Sequence, residues 1–298
     1  MMKLLITGSS GMLGKEIFKA FAKKNKYKVF GVDKLVNNEI SANEQIIGDL
    51  TDYHFLNNLL KHIDPDIIIH CAAIVNLKTC EDNKALTESL HIEVPKKLVE
   101  FNPQKVKLLY ISTDSIFDGI KGNYSEEDKP NPLNYYAKTK LLGENIIQNN
   151  QDHLIVRTNI FGFNYPLKNS LAEWAIINFL NGKKIKGFTD IIFNAIYTKH
   201  LASILIKLIA KNVTGIINVA STNNMSKYNF LGYLERGLMQ TDKLVEATNS
   251  DVVKNDILRP KNTSLNVLKA NHLVELPIIE NGVDQLIADF QKVHYGKI

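Results

Sequence analysis

Short apolar runs recur along the first half of the chain. Leu4-Leu5-Ile6, Lys28-Val29-Phe30-Gly31-Val32, Ile67-Ile68-Ile69, Leu108-Leu109-Tyr110-Ile111 and Leu154-Ile155-Val156 read as apolar runs instead of alternating with polar residues. A strand covered on both faces requires that pattern. Between the runs lie amphipathic stretches with helical spacing, over 16–24, 53–62, 83–101 and 138–148. Strand and helix in alternation predict an α/β fold built on a parallel, doubly wound sheet. From about residue 163 the rhythm loosens, with turn signals at Asn181-Gly182, Lys186-Gly187 and Asn223-Asn224 and helical stretches over 170–180 and 227–238. The expected organisation is a regular unit over 1–162, completed by strands and helices returning from the C-terminal half, and a smaller region over 163–298.

Composition narrows the class. Of 298 residues, 45% are hydrophobic and 22% charged, the proportions of a folded globular chain. The net charge of +5 raises a nucleic-acid partner as a question. Its basic residues are scattered, however, and the densest group, Lys183-Lys184-Ile185-Lys186, has no flanking Arg or interleaved aromatic. It reads as a solvated turn, and no nucleic-acid partner is expected. The longest apolar candidate, over 202–210, is interrupted by Ser203 and Lys207, short of the ~18 residues of a membrane span. Two cysteines, Cys71 and Cys80, have no metal-ligand spacing with nearby histidines. With a strand running directly into a Gly-rich turn at the N-terminus, no signal peptide is expected, and the predicted location is a reducing cytoplasm.

The candidate chemistry sits at the ends of the predicted strands. Gly8-Ser9-Ser10-Gly11-Met12-Leu13-Gly14 follows the first strand and opens the first helix with the spacing GxxGxxG. Glycines there allow a tight turn, close approach to a pyrophosphate and helix–strand packing, with the helix N-terminus facing the anion. Asp33 closes the second strand near the offset of a carboxylate that holds the adenosine ribose, which favours NAD(H) over NADP(H) while leaving the latter open. Asp49 and Leu50 follow the third strand, where a carboxylate and an apolar neighbour suit an adenine. Cys71, Ala72 and Ala73 follow the fourth, where small residues let the backbone lie against a cofactor. Ser112-Thr113-Asp114 closes the fifth. Downstream, Tyr136 and Lys140 form YxxxK, one turn apart on a helix face. An ammonium close to a phenol lowers its pKa from ~10 and makes it a usable proton donor and acceptor.

In order and spacing, these motifs resemble the extended short-chain dehydrogenase/reductases. The stretch from Ser112 through Asp118-Gly119, Tyr124, Glu126, Asp128, Pro130 and Pro132 to Asn134-Tyr135-Tyr136-Ala137-Lys138-Thr139-Lys140-Leu141-Leu142-Gly143-Glu144 is similar to the dTDP-4-dehydrorhamnose reductase family within them. So are Val156-Arg157-Thr158 and Arg259-Pro260-Lys261-Asn262-Thr263-Ser264-Leu265-Asn266, and the likeness covers nearly the whole chain. The resemblance implies a Rossmann-like dinucleotide-binding domain over 1–162 and a mainly substrate-binding region over 163–298. It implies NAD(P)H-dependent reduction of the 4-keto group of a nucleotide-diphosphate 6-deoxysugar, in deoxysugar and surface-polysaccharide biosynthesis, with a homodimer as the candidate assembly; no metal-ligating residues are assigned, and metal dependence stays open. Tyr136 would donate the proton, Lys140 would bind the nicotinamide ribose and tune Tyr136, and Thr113 would bond the carbonyl oxygen. Asp114 stands where the family keeps an acid, and Arg259 and Asn262 are the candidate partners of the diphosphate or sugar.

Some positions depart from the family pattern. Thr158-Asn159-Ile160-Phe161-Gly162 stands where a Trp is common, and Trp174 lies later in a helix, where packing is expected. His70 and His91 stand where relatives commonly carry Asn and are read as structural. Two alternatives stay open. The fold also resembles the regulatory beta subunit of methionine adenosyltransferase, which need not catalyse, although Thr113, Tyr136 and Lys140 are intact. A sugar-nucleotide epimerase or dehydratase is the other, although Thr113-Asp114-Ser115 offers one acid where a dehydratase uses an acidic pair.

Overall fold

The computed structural model describes residues 1–298 except 39, 42–43, 102–104, 165, 253–256 and 296–298. Its frame is a seven-stranded parallel sheet. In chain order the strands are β1 (Met2–Thr7), β2 (Tyr27–Asp33), β3 (Gln45–Ile47), β4 (Ile67–His70), β5 (Lys107–Ile111), β6 (Leu154–Arg157) and the later strand Gly215–Asn218. Across the sheet they run Gly215–Asn218, β6, β5, β4, β1, β2, β3. The apolar runs serve two cores by simple alternation. Leu4, Ile6, Ile67, Ile69, Leu109, Leu154 and Val156 join the cluster on one face, and Leu5, Ile68, Leu108, Tyr110 and Ile155 join the cluster on the other.

Helices Gly14–Ala22 and Thr198–Ala210 pack together through Ile17, Phe18 and Phe21 against Leu201, Leu205 and Leu208 on the first face. A separate cluster around Phe161, Phe179, Phe193, Phe230 and Phe290 carries the less regular part. Three short strand pairs frame it: Ile160–Phe161 with Ile196–Tyr197, Ile192–Phe193 with Met225–Ser226, and Ile185–Phe188 with Val245–Thr248.

Local details differ from the sequence expectation. The predicted helix over 83–101 is Lys84–Glu88, a π-helical turn Ser89–Glu93, and Val94–Glu100. Pro95 has no N–H to return to the His91 carbonyl, so the ladder widens there. Lys183 to Lys186 is no solvated turn alone. Ile185 is buried in the strand Ile185–Phe188, and Lys184 reaches Glu246 at 2.9 Å on the paired strand. Trp174 is 40% exposed on the helix Leu171–Leu180, so it is not core packing. The helix Tyr135–Gln148 starts three residues before the expected position because Asn134 caps it, its Oδ1 accepting from Ala137 N–H at 3.0 Å. Among the described residues no helix is long and apolar enough to cross a membrane, and no group of His, Cys, Asp or Glu could hold a metal.

Candidate active site

The strand order reverses on either side of β1, and the turns after β1, β2, β3, β4 and β5 all leave the carboxyl edge of the sheet. That edge is where doubly wound sheets bind ligands. Gly8 has φ +69°, and a Cβ there would stand 2.7 Å from the Ala72 nitrogen. At Gly14 it would stand 2.1 Å from the Gly8 carbonyl oxygen. The two turns therefore touch backbone to backbone, leaving the start of the helix Gly14–Ala22 bare of side chains. Asp33 fastens this loop from β2: its Oδ2 accepts from Ser10 N–H at 3.0 Å and its Oδ1 from Lys34 N–H at 2.7 Å. Asp49 accepts from Thr51 and pairs with Lys34 at 2.8 Å. Against the desolvation that raises it, those partners hold its carboxyl below the usual range.

Met12 lies against Gly162 and is partly exposed, as are Gly11, Cys71, Ala72 and Ala73. Leu13 and Leu50, expected to touch a cofactor, are instead core side chains, each 5% exposed. Burial leaves only their backbone to offer a ligand. Burial also pushes the Cys71 thiol up to about 12, so it is inert at neutral pH.

Thr113, Tyr136 and Asp114 meet. Thr113 Oγ1 donates to Asp114 Oδ1 at 3.2 Å and accepts from Ser115 N–H at 3.1 Å. The Tyr136 hydroxyl faces Thr113. Burial lifts the Tyr136 phenol to about 12, the Thr113 bond opposing and Asp114 and Cys80 adding to the rise. Lys140 sits one helical turn away, but its Nζ donates to the Ile111 carbonyl at 2.8 Å and lies 4.0 Å from the centre of the Tyr110 ring. Burial lowers Lys140 to about 7, with Glu144 and Cys71 working the other way. The expected lowering of Tyr136 by Lys140 is thus corrected: desolvation of the phenol dominates, and the ammonium faces β5.

The two histidines are buried and hydrogen-bonded beneath this cluster. His91 Nε2 accepts from Ile74 N–H at 2.9 Å, which leaves Nδ1–H to donate to Thr139 Oγ1 at 2.9 Å. Thr139 bonds the Tyr135 and Tyr136 carbonyls, so His91 props the helix Tyr135–Gln148 from the π turn. Burial holds His91 at about 3 and His70 well below its usual value, with Lys140 pushing both the same way. His70 Nδ1 meets Thr7 Oγ1 at 2.7 Å, and its ring stacks on Tyr110.

Asp114 gathers residues from distant segments. It accepts from Asn159 Nδ2 at 2.7 Å, from Ser115 Oγ at 3.3 Å and from the Thr263 side chain. Its own desolvation outweighs these bonds and raises its pKa. Asn262, expected at the substrate, is held locally: its Oδ1 accepts from Ser264 and its amide lies against Gly122. Thr263 reaches the cluster in its place. Arg259 is exposed, and its charge together with that of Asp114 is felt by Lys227. Backbone bonds bring these segments together, Ile192 pairing with Lys261 and Thr263 and Ile191 accepting from Lys227 N–H. Burial, then Arg259, lowers Lys227, while Asp114 opposes.

Asn159, Thr263 and Lys227 were missed in the sequence. The first two lay inside quoted motifs. Lys227 carried its own signal: a lysine at the first position of the helix Lys227–Met239 opposes the helix dipole, an odd place for a cation without an anion to meet.

Residues 2–292 match the family model described as RmlD substrate binding domain. Methionine adenosyltransferase 2 subunit beta of Bos taurus is 33% identical over 157 residues, covering 52% of this chain and 46% of that protein, so the match spans about half of that relative. The Rattus norvegicus protein of the same name is 28% identical over 285 residues, covering 91% of this chain and 82% of the relative. Among solved structures, a dTDP-4-dehydrorhamnose reductase from Clostridium acetobutylicum has 26% identity and a TM-score of 0.85, covering 97% of this chain and 100% of that one. The enzyme of that name from Bacillus anthracis, in complex with NADP, has 24% identity and a TM-score of 0.83, with 97% and 99% covered. Motif order, sheet and family match agree over the same residues, and this chain belongs to the RmlD family of extended short-chain dehydrogenase/reductases.

Proposed function

We propose that this chain is an NAD(P)H-dependent reductase of a nucleotide-activated 4-keto-6-deoxysugar, working in the cytoplasm in deoxysugar and surface-polysaccharide biosynthesis. The observation that carries the reading is the meeting of Tyr136, Thr113 and Asp114 at the carboxyl edge of β5, with Thr113 bonded to Asp114 at 3.2 Å and the Tyr136 phenol facing Thr113. It presents a protonated phenol and a hydroxyl at one point, which is what a ketone oxygen gaining negative charge needs. With substrate bound, the Thr113 hydroxyl would turn its proton from Asp114 to the carbonyl oxygen, and Tyr136 would give that oxygen its proton.

The Gly8–Ala72 cradle would be filled by any Cβ, and Asp33 stands beside it, so the residues fit a dinucleotide. Gly8, Ser10, Gly11 and Gly14 would hold its pyrophosphate, Asp33 the adenosine ribose, and Lys140 the nicotinamide ribose. Bound there, it supplies hydride to the carbonyl carbon. A carboxylate at position 33 repels a 2′-phosphate, which favours NADH over NADPH. On the other side of the cleft, Lys227 feels the charges of both Arg259 and Asp114, and the Asp114 carboxylate already accepts from neutral donors. The two cations suit the diphosphate of the substrate.

A second reading has support from the likeness to methionine adenosyltransferase 2 subunit beta over 91% of the chain. In that case the chain would bind dinucleotide and act through a partner surface. NADH oxidation measured against a panel of nucleotide-linked 4-ketosugars separates the two. The reductase reading expects turnover with at least one member. The regulatory reading expects none, together with binding to a methionine adenosyltransferase catalytic subunit in calorimetry.

A further inference from the structure

Tyr136, Lys140 and Glu144 follow one another at four-residue spacing along one face of the helix Tyr135–Gln148. The proton-donor pair accounts for the first two. Glu144 has a side chain only 1% exposed and is gripped from two strand ends. Arg157 of β6 donates to it through Nε at 3.1 Å and Nη2 at 2.9 Å, and Ser112, just beyond β5, donates its hydroxyl to Oε1. Arg157 alone would make a structural ion pair, a kind that apolar residues often replace at little cost. The Ser112 bond needs another explanation. Lys140 holds the Ile111 carbonyl and Glu144 holds the next side chain, Ser112. The two residues before Thr113 are therefore fastened, one each, by the two side chains that follow Tyr136 on the helix.

The charges around Lys140 single out the same residue. His70 and Cys71 face it from the end of β4, His91 from the π turn, Tyr110 from β5, and Tyr136 and Glu144 from its own helix. Both histidines are neutral by burial, the Cys71 thiol stands at about 12, and burial likewise keeps Tyr110 and Tyr136 protonated. Among these described neighbours, Glu144 is the one negative charge, with Arg157 behind it.

We propose that Glu144 is a positioning residue for the proton-donor site: through Ser112 it sets the approach of Thr113 to Tyr136, and its charge keeps Lys140 an ammonium. The proposal rests on the reductase reading only in what the Lys140 cation is for.

The test reads Lys140 directly in the ligand-free chain, by NMR titration of lysine carbons labelled at Cε and assigned with Lys140→Met. The parent midpoint is expected near 7. Glu144→Gln should lower it by about one unit or more, because the near counter-charge is gone and Arg157 is left uncompensated. Glu144→Leu with Arg157→Met removes the ion pair as a unit and guards against a variant that fails to fold; its midpoint should also fall, by less. A midpoint that holds its parental value in the folded variants overturns the charge role. For the geometric role, Ser112→Ala should reduce kcat on the best 4-ketosugar about ten-fold with KM and NADH affinity near parental, and Ser112→Thr should restore it. Parental kcat in Ser112→Ala overturns that role. A parent that neither binds NADH nor turns over any sugar defeats the reductase reading instead, and the Lys140 titration then judges the proposal alone.

Discussion

Tyr136 keeps its proton throughout the physiological range, because burial raises the phenol to about 12. That suits a donor whose proton must be in place before negative charge develops on the substrate oxygen. Tyr136→Phe should cut turnover about 10²-fold or more while leaving NADH affinity within two-fold, as general acid catalysis is worth that much. Retention of a tenth of parental turnover would remove Tyr136 from the role. At Lys140 the residue-scale consequence is for stability. Its pKa in the fold, about 7, lies below the 10.5 of the unfolded chain, so the folded state binds fewer protons between those values and gains stability as pH rises through that window. Below 7 the buried ammonium is a full cost to the fold. Lys140→Met should therefore melt higher than the parent at pH 6, and the gap should narrow at pH 9; a gap independent of pH contradicts the assignment. Thr113, Tyr136 and Lys140 were legible because a fixed spacing on one helix, next to a strand end, carries them. Asn159, Thr263 and Lys227 were not, since three remote segments bring them together only at Asp114, a meeting that no local spacing encodes.

Strands in the middle of the sheet could be read to within a residue because burial on both faces leaves uninterrupted apolar runs, as in Ile67–His70 and Leu154–Arg157, whereas the edge strand Gly215–Asn218 was not read. The strand Ile185–Phe188 hid because Lys183 and Lys184 precede it and its exposed position is Lys186, and the π turn Ser89–Glu93 hid because Pro95 marks a weakened ladder without saying which way it gives. Asn134 shows an element boundary acting on the site. Its Oδ1 caps the helix Tyr135–Gln148, while its Nδ2 donates to the Leu258 carbonyl at 3.0 Å, next to Arg259. Asn134→Ala should cost ~1 kcal/mol in stability from the lost cap and raise the KM for the sugar nucleotide, because the Arg259 segment loses its tether. Thermal melting with steady-state kinetics checks both; a lower melting temperature with unchanged KM would confine Asn134 to capping.

The whole molecule divides its labour across the carboxyl edge of the sheet. The turns after β1 to β4 come from the first half of the chain, and Lys227, Arg259 and Thr263 come from the second. Arg259→Ala should accordingly raise the sugar-nucleotide KM roughly ten- to hundred-fold, the value of a charge-assisted contact, and leave NADH affinity unchanged. Parallel loss of both ligands with a lower melting temperature would mark Arg259 as structural. The parallel, doubly wound sheet and its two-sided core were implicit in the alternation of strands and helices. The meeting of the second half with Asp114 depends on the short strand pairs, which are two to four residues long and too brief to carry a pattern. The central claim is that hydride and proton are delivered to one ketone carbon and its oxygen in this cleft. NADH dideuterated at nicotinamide C4, incubated with a nucleotide-linked 4-keto-6-deoxyhexose and this chain, tests it most directly. The account predicts deuterium at C4 of the product sugar, with Tyr136→Phe slowing the transfer about 10²-fold or more; NADH that binds yet leaves every 4-ketosugar unlabelled would contradict it.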